Sequence, residues 1–367
     1  LKGGKPPATG DQLTQSALAD TLEQLARAGL TDFYRGELAK SIAQDLASAG
    51  SPVSLADLQN HRARLEEPVR LRTATAELFT TAAPTQGTAT LLMLGQFARR
   101  PESIATREDA DTVHWLIEAT KHAFVVRNRE IRDPGLMDNP SQALLEPELL
   151  DAMASRIDKH HAGPWGEATS PADTTWFGAI DAEGRMVSCI QSIYHEFGSG
   201  IVLPASGLCW QNRGASFSLQ ADHPLALQPT TLPFHTLCPS MALFDDGRRM
   251  VFGTMGGDGQ PQTQAILFTR YADYDQPLEQ SVSAPRWVLG RTWGDHSENI
   301  KMESRFDPAL IEELHQRGHD IVLLPDYDET VGHAGAIVRH RDGRVEGASD
   351  PRSDGAAVAA KSGVKPA

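Results

Sequence analysis

The chain is poor in cysteine, with three in 367 residues, at positions 189, 209 and 238. No two form a CxxC pair and the count is odd, which excludes a disulfide framework and a zinc-finger site as the expectation. Cys189 and Cys209 stand in apolar, alternating runs and read as packed thiols. Positive charge is also short: Lys and Arg number 34 against 48 Asp and Glu, a formal charge of -14. No nucleic-acid partner and no anionic membrane surface are expected from such a balance. Long apolar runs are missing, so no transmembrane helix is expected. No leader sequence and no disulfide pattern are visible, which tilts the expected compartment slightly from periplasm to cytoplasm. Three common chemistries also lack their anchors: there is no GxGxxG, no Walker lysine and no GxSxG elbow. His160 and His161 are adjacent on an irregular segment, without zinc-pair spacing, and read as solvated. Neither a metal nor a cofactor is expected.

What is present suits a globular chain of one large or two ordinary domains, with 40% hydrophobic residues. Two helices open it, "QSALADTLEQLARAG" and "RGELAKSIAQDLASAG", each stopped by a glycine. A further short helix is read in "LADLQNHRARLEEPVRL", broken by Pro68, and a strand in "TATAELFTTAAP". The longest amphipathic helix lies in "DADTVHWLIEATKHAFVVRNRE". Residues 134 to 172 carry Pro, Gly and few apolar positions, the pattern of an exposed connector. Beyond Thr174 the pattern alternates: "WFGAI", "MVSCIQSIY", "GIVLP", "GLCWQN" and "CPSMALFDDGRRMVFGTM" read as strands, with hairpin turns at "DAEG" and "DDG". Two helices, "PQTQAILFTRYADY" and "DPALIEELHQRG", and a final strand pair follow. Helices, then mainly antiparallel strands, then both, indicate a layered α+β fold rather than a doubly wound sheet.

Two stretches can carry chemistry. The first is "FGTMGGDGQPQTQ", which leaves a strand and enters a helix with Pro261 in its first turn. Backbone N–H groups at such a turn suit an anion or oxyanion, although an ordinary tight turn reads the same way. The second is "PADTTWFGAIDAEGRMVS". A strand that begins on Asp173-Thr174-Thr175 is ordinary, since threonine is β-branched. Cleavage before Thr174 would instead give one residue a hydroxyl nucleophile and a free α-amine, whose pKa of about 8 suits a base at neutral pH. "PFHTLCPS", with His235 and Thr236 between prolines, is by itself a rigid turn.

Several ordered motifs then show that the chain resembles the γ-glutamyltransferase family of N-terminal-nucleophile (Ntn) hydrolases. They are "DFYRGELAKSIAQDL", "PTQGTATLLML", "TTWFGAIDAEGRMVSCIQSIYHEFGSGIVLP", "CPSMALFDDGR", "TMGGDGQ", "APRW" and "GASDPRSDGAA". The resemblance implies an αββα sandwich of two stacked, mainly antiparallel sheets. It implies a proenzyme cut between Asp173 and Thr174, whose segments 1–173 and 174–367 stay together as a heterodimer. The catalytic threonine falls on Thr174 rather than Thr175, the oxyanion-binding glycines on Gly256 and Gly257, and the threonine that assists the nucleophile on Ser192. Asp350 and Arg352 look structural, supporting the centre by an ion pair. The partners implied are a small amide as acyl donor and water or an amine as acceptor.

The departures from the family pattern bear on specificity. The residues that hold the γ-glutamyl α-amino and α-carboxylate groups fall on Tyr194, Arg213, Ser216, His235 and Thr236. Arg213 replaces a residue that would pair with an ammonium; it repels one and suits a carboxylate. The expected acyl donor therefore bears a carboxylate but need not carry an α-amino group, as in the acylase and amidohydrolase branches. Oxamate-type and glutaryl-type amides are the candidates. True γ-glutamyl transfer is the alternative among enzymes. The family's large segment normally extends upstream of the position of Leu1, with strands of the sandwich and a pocket arginine, so a non-catalytic binding protein on the same fold is the alternative outside enzymes.

Overall fold

A computed structural model describes residues 5–104, 108–166, 173–290 and 297–359. The chain divides into two compact units: residues 1–65 with 197–212, and residues 66–196 with 213–367.

The smaller unit is helical: α1 (Ser16–Ala28), α2 (Asp32–Arg35), α3 (Glu37–Ser48) and α4 (Leu55–Asn60). Leu38, Ile42 and Leu46 recur every fourth residue on α3 and so share one face, where they pack with Leu58 and Leu203. Ser54 and Asp57 cap α4 reciprocally, which fixes its start. The runs "GIVLP" and "GLCWQN", expected as strands, make only an isolated bridge, Val202 to Cys209. Gly200 and Gly207 hold φ of 71° and 68°, and these left-handed turns bend the backbone too soon for a ladder. Leu203 faces the small core, while Cys209 is exposed and so is not the packed thiol expected. Cys189 is half-buried, and Cys238 is the fully buried one.

The larger unit is built on a six-stranded antiparallel sheet of order β1-β2-β5-β6-β10-β11. Its strands are β1 (Val69–Arg72), β2 (Ala76–Thr80), β5 (Ser240–Phe244), β6 (Arg249–Thr254), β10 (Ala334–Arg339) and β11 (Val345–Ser349). The expected helix through "EEPVRL" therefore stops at Asn60, and Val69–Arg72 is an edge strand, entered through a proline that cannot donate to a helix. On one face lie α5 (Gly87–Phe97), α6 (Ala110–Glu130) and α8 (Gly259–Ala272). Phe244 and Phe252 stack on Phe268 of α8, with ring centroids 6.0 and 5.9 Å apart. On the other face lies a hairpin of β3 (Asp173–Ile180) and β4 (Met186–Tyr194). Its outer side bears Phe177 and Val187, 49% and 55% exposed. Both "DAEG" and "DDG" form the hairpin turns expected of them.

α6 is not one-sided: Val113 to Lys121 are all buried, because α5, α7 (Pro147–Ala154) and α10 (Pro308–Gln316) pack around it. The segment after residue 134 is likewise less exposed than expected, since α7 drives Leu150 and Met153 into the core. Residues 167–172, the end of that connector, lie outside the described residues. A smaller sheet of β7 (Trp287–Leu289), β8 (Ile300–Glu303) and β9 (Ile321–Leu324), and the short α9 (Leu278–Ser283), complete the unit. No described helix is long and apolar enough to cross a membrane. Strands from both sides of Thr174 share the large sheet: β2 pairs with β5 from Thr80 opposite Ser240 to Ala76 opposite Phe244. A backbone cut before Thr174 would leave that ladder whole.

Candidate active site

Thr174 is the second residue of β3 and is 8% exposed. Asp173 pairs with Tyr194 and Thr175 with Gln191, so Ser192 and Ile193 of β4 together oppose the single Thr174. This is a β-bulge, a device that re-aims a side chain and locally interrupts the ladder. Ser192 Oγ accepts the Tyr194 N–H at 2.7 Å, and Tyr194 holds φ of 83°, uncommon for a residue with a side chain. Two residues beyond the threonine, on the same face of β3, Trp176 is inserted against the large sheet. Gly253 of β6 and Gly335 of β10 are paired across the ladder, and a Cβ on either would lie 2.1 or 2.5 Å from the indole. The glycine pair is thus a slot that seats Trp176, and with it the start of β3. Trp176 Nε1 donates to Ser188 Oγ at 2.9 Å, which closes the seat.

The glycine-rich turn follows β6. Gly256 and Gly257 have φ of 111° and 49°, values that side chains resist. Met255 O accepts the Thr254 hydroxyl at 2.9 Å and Gly256 O accepts the Gly259 N–H at 2.7 Å. A trans peptide sets N–H opposite C=O, so the N–H groups of Gly256 and Gly257 point away from those acceptors. Three residues that sequence reasoning did not single out hold this turn. Gln86 donates through Nε2 to both Thr236 O and Gly257 O at 2.7 Å, and its Oε1 accepts from Arg127 at 2.9 Å. Arg127 also pairs with Asp258 at 2.9 Å, both side chains being buried. Gln86 and Asp258 sit within quoted motifs, but only tertiary contact shows that they converge. Gln260, on the first turn of α8, reaches Thr174 Oγ1 with Nε2 at 3.4 Å.

Next to the bulge lies a cationic corner. The Arg213 guanidinium stacks 4.0 Å above the Tyr194 ring and is 6% exposed. Burial pulls it down to about 10, with Tyr194 opposing, so it stays charged at neutral pH. His235 is held at about 4 by burial and by the Arg213 charge, hence neutral. Its backbone is fixed by two bonds, N to Pro84 O and O from Gln86 N, each 2.9 Å. Thr236 is fully buried and its hydroxyl finds no hydrogen-bond partner among the described residues. Ser216 is different: its hydroxyl donates to Arg213 O at 2.9 Å and so closes the turn that carries the arginine.

Asp350 and Arg352 belong to a buried four-membered ion network with Arg286 of "APRW" and Glu303. Asp350 also accepts the Ala334 N–H at 2.7 Å, and Arg286 donates to Val331 O and Gly332 O. The network thereby anchors the entry to β10, the strand that carries half of the Trp176 slot. His160 and His161 are exposed. Among the described residues, one group of side chains has the composition of a metal site: His114, Glu118 and His319. Its members are bonded to one another and to neighbours. His114 Nδ1 meets His319 Nε2 at 2.7 Å, and Glu118 is neutralised by Lys121 at 2.7 Å and bonded by Gly163 N at 3.0 Å.

A helix-backed antiparallel sheet covered by a hairpin with a buried threonine second in its first strand is the architecture of an Ntn hydrolase. The fold superposes on the crystal structure of cephalosporin acylase from Bacillus halodurans with a TM-score of 0.86, at 29% identity over 98% of this chain and 65% of that one. The chain belongs to the gamma-glutamyltranspeptidase family, whose profile matches residues 1–360. Members of that family are amidohydrolases and acyltransferases. Similar proteins include an oxamate amidohydrolase proenzyme of Klebsiella pneumoniae, 53% identical over 98% of this chain and 67% of that protein. Another is a glutathione hydrolase-like YwrD proenzyme of Bacillus subtilis, 37% identical over 97% and 67%. The chain thus spans about two thirds of the length of these relatives.

Proposed function

We propose that this chain is the catalytic portion of a self-processing threonine amidohydrolase whose acyl donor is a small amide bearing a carboxylate, oxamate being the first candidate. The observation that carries the reading is the buried Arg213 cation, stacked on the residue that pairs with Asp173. A carboxylate seated there gains a charge-assisted bond in a site of low polarity. An α-ammonium group would meet repulsion instead, which disfavours a γ-glutamyl donor. The 53% identical relative named for oxamate amidohydrolysis supports the same choice over glutaryl amides.

Processing begins with attack of the Thr174 hydroxyl on the Asp173 carbonyl; the Asp173–Thr174 C–N bond breaks as the hydroxyl proton passes to the departing amine, and water then hydrolyses the ester, leaving the Asp173 carboxylate and Thr174 as a new N-terminus. In turnover the α-amine takes the hydroxyl proton and Oγ attacks the amide carbon. Gly256 and Gly257 donate N–H bonds to the tetrahedral oxyanion, worth about 3 kcal/mol per donor in related settings. The C–N bond breaks, the proton leaves with ammonia, and an acyl ester remains. Water cleaves that ester, so oxamate yields oxalate and ammonia.

Intact mass of the purified full-length protein tests this directly. The expected result is two associated pieces split before Thr174, ammonia release from oxamate, and an uncut Thr174→Ala variant. A wild-type chain that stays whole after long incubation sinks the enzyme reading and leaves a binding protein. Faster release from a γ-glutamyl anilide than from a glutaryl anilide or oxamate would overturn the substrate class.

A further inference from the structure

We propose that Gln260 is a catalytic hydrogen-bond donor to the nucleophile oxygen of Thr174, an assignment that rests on the threonine mechanism above. Gln260 is fully buried, and its Nε2 lies 3.4 Å from Thr174 Oγ1. The two ends of a glutamine amide are distinguished by what they face. Here Oε1 accepts the Cys238 N–H at 3.3 Å and faces the Cys238 thiol at 3.4 Å. Turning the amide over would set an NH2 group against a backbone N–H, so the donor end is the one that faces Thr174. Cys238 is itself pinned, because Gln264 Nε2 donates to its carbonyl at 2.7 Å. Burial pushes its thiol up to about 12, so no thiolate competes for the amide.

A primary amide donates a proton in a hydrogen bond but accepts none as a base, so Gln260 cannot replace the α-amine. Its effect is electrostatic. A hydroxyl oxygen has one hydrogen and two lone pairs. With one lone pair on Nε2–H, the hydroxyl hydrogen must turn elsewhere, where the α-amine freed by cleavage can take it. Charge then builds on Oγ twice: when the C–Oγ bond forms as the proton passes to the amine, and when that bond breaks as water attacks and Oγ regains the proton. A fixed donor in a buried site favours both moments. Its 3.4 Å reach is long for a neutral oxygen, and such bonds shorten as the acceptor gains charge. This donor acts on the attacking oxygen, whereas Gly256 and Gly257 act on the carbonyl oxygen.

The test is Gln260→Glu in the full-length protein, which keeps the shape and the acceptor for Cys238 but replaces the donor nitrogen by oxygen. Gln260→Met removes donor and acceptor at similar volume and is run beside it. Wild type and variants are compared by intact mass over time, steady-state oxamate hydrolysis and thermal melting. Expected are slower self-cleavage and a kcat reduced by about tenfold to a hundredfold with KM changed little. For Gln260→Glu, the ratio of variant to wild-type kcat rises as pH falls, because a protonated carboxyl donates again; a packing role would not produce that trend. If every variant that melts cooperatively is cut and turns over within about twofold of wild type, Gln260 is only a packing residue. An uncut wild type would overturn the parent mechanism and this role together, whereas a cut wild type with unaffected variants overturns this role alone.

Discussion

At the scale of single residues, Arg213 is proposed to serve recognition and Thr174 chemistry. The guanidinium is charged at neutral pH, buried, and next to a histidine kept neutral by burial first and by the Arg213 charge second. Removing the charge in Arg213→Met should raise KM for oxamate by about tenfold to a hundredfold, the worth of one charge-assisted bond, with a smaller effect on kcat. Steady-state kinetics on the self-cleaved protein checks this, and an unchanged KM would mean that the carboxylate sits elsewhere. The special positions were legible to different degrees. Thr174, Gly256 and Gly257 are reached through the family motifs in which they stand, each residue alone reading equally well as an ordinary strand start or tight turn. Gln86, Arg127 and Gln260 do not stand out, since a glutamine or an arginine reads as surface until the distant groups it meets, Gly257, Asp258 and Thr174 respectively, are known.

At the scale of elements, the seat of β3 depends on two glycines paired across β6 and β10. Sequence pattern marks both as strand residues but cannot say that an indole lies against them. A Cβ at Gly253 would overlap the Trp176 ring, and the ring is itself held by Ser188. Gly253→Ala should therefore destabilise the fold by about 1–3 kcal/mol, the usual cost of overpacking, and slow the cut before Thr174. Urea denaturation followed by intact-mass kinetics measures both effects; a variant as stable and as fast as wild type would show that the indole has room to move. The same reasoning explains the elements that differ from expectation. α6 is buried on every side from Val113 to Lys121 because α5, α7 and α10 pack around it, which periodicity within one helix does not record. "GIVLP" alternates like a strand, yet flanking glycines turn the backbone away before a partner can pair.

At the scale of the whole molecule, a falling pH should slow the chemistry first and loosen the fold only at lower pH. His235 and His319 have folded values of about 4 and about 3, below the ordinary histidine value near 6.5, in both cases mainly through burial. A base whose pKa is depressed on folding binds its proton more readily when unfolded. Stability from these two groups is therefore fully present above about pH 6.5 and is lost progressively as pH falls toward 4 and then 3. Melting temperatures between pH 7.5 and 4 should fall, and His319→Gln should flatten the slope; a flat wild-type profile would contradict the burial of these rings. Activity is expected to rise through about pH 8 as the α-amine loses its proton, which separates the two effects.

Legible in the chain alone were most of the helices and strands, the hairpin turns, the strand that opens on Asp173-Thr174-Thr175 and the glycine turn. These rest on local rules: alternation, turn chemistry and the conformational freedom of glycine. Only the tertiary structure decided which buried polar groups meet: Arg213 over Tyr194, Gln86 under Gly257, Gln260 against Thr174, and the ion network beneath β10. Their cost of burial is repaid by partners distant in the chain, and no local pattern encodes such a partner.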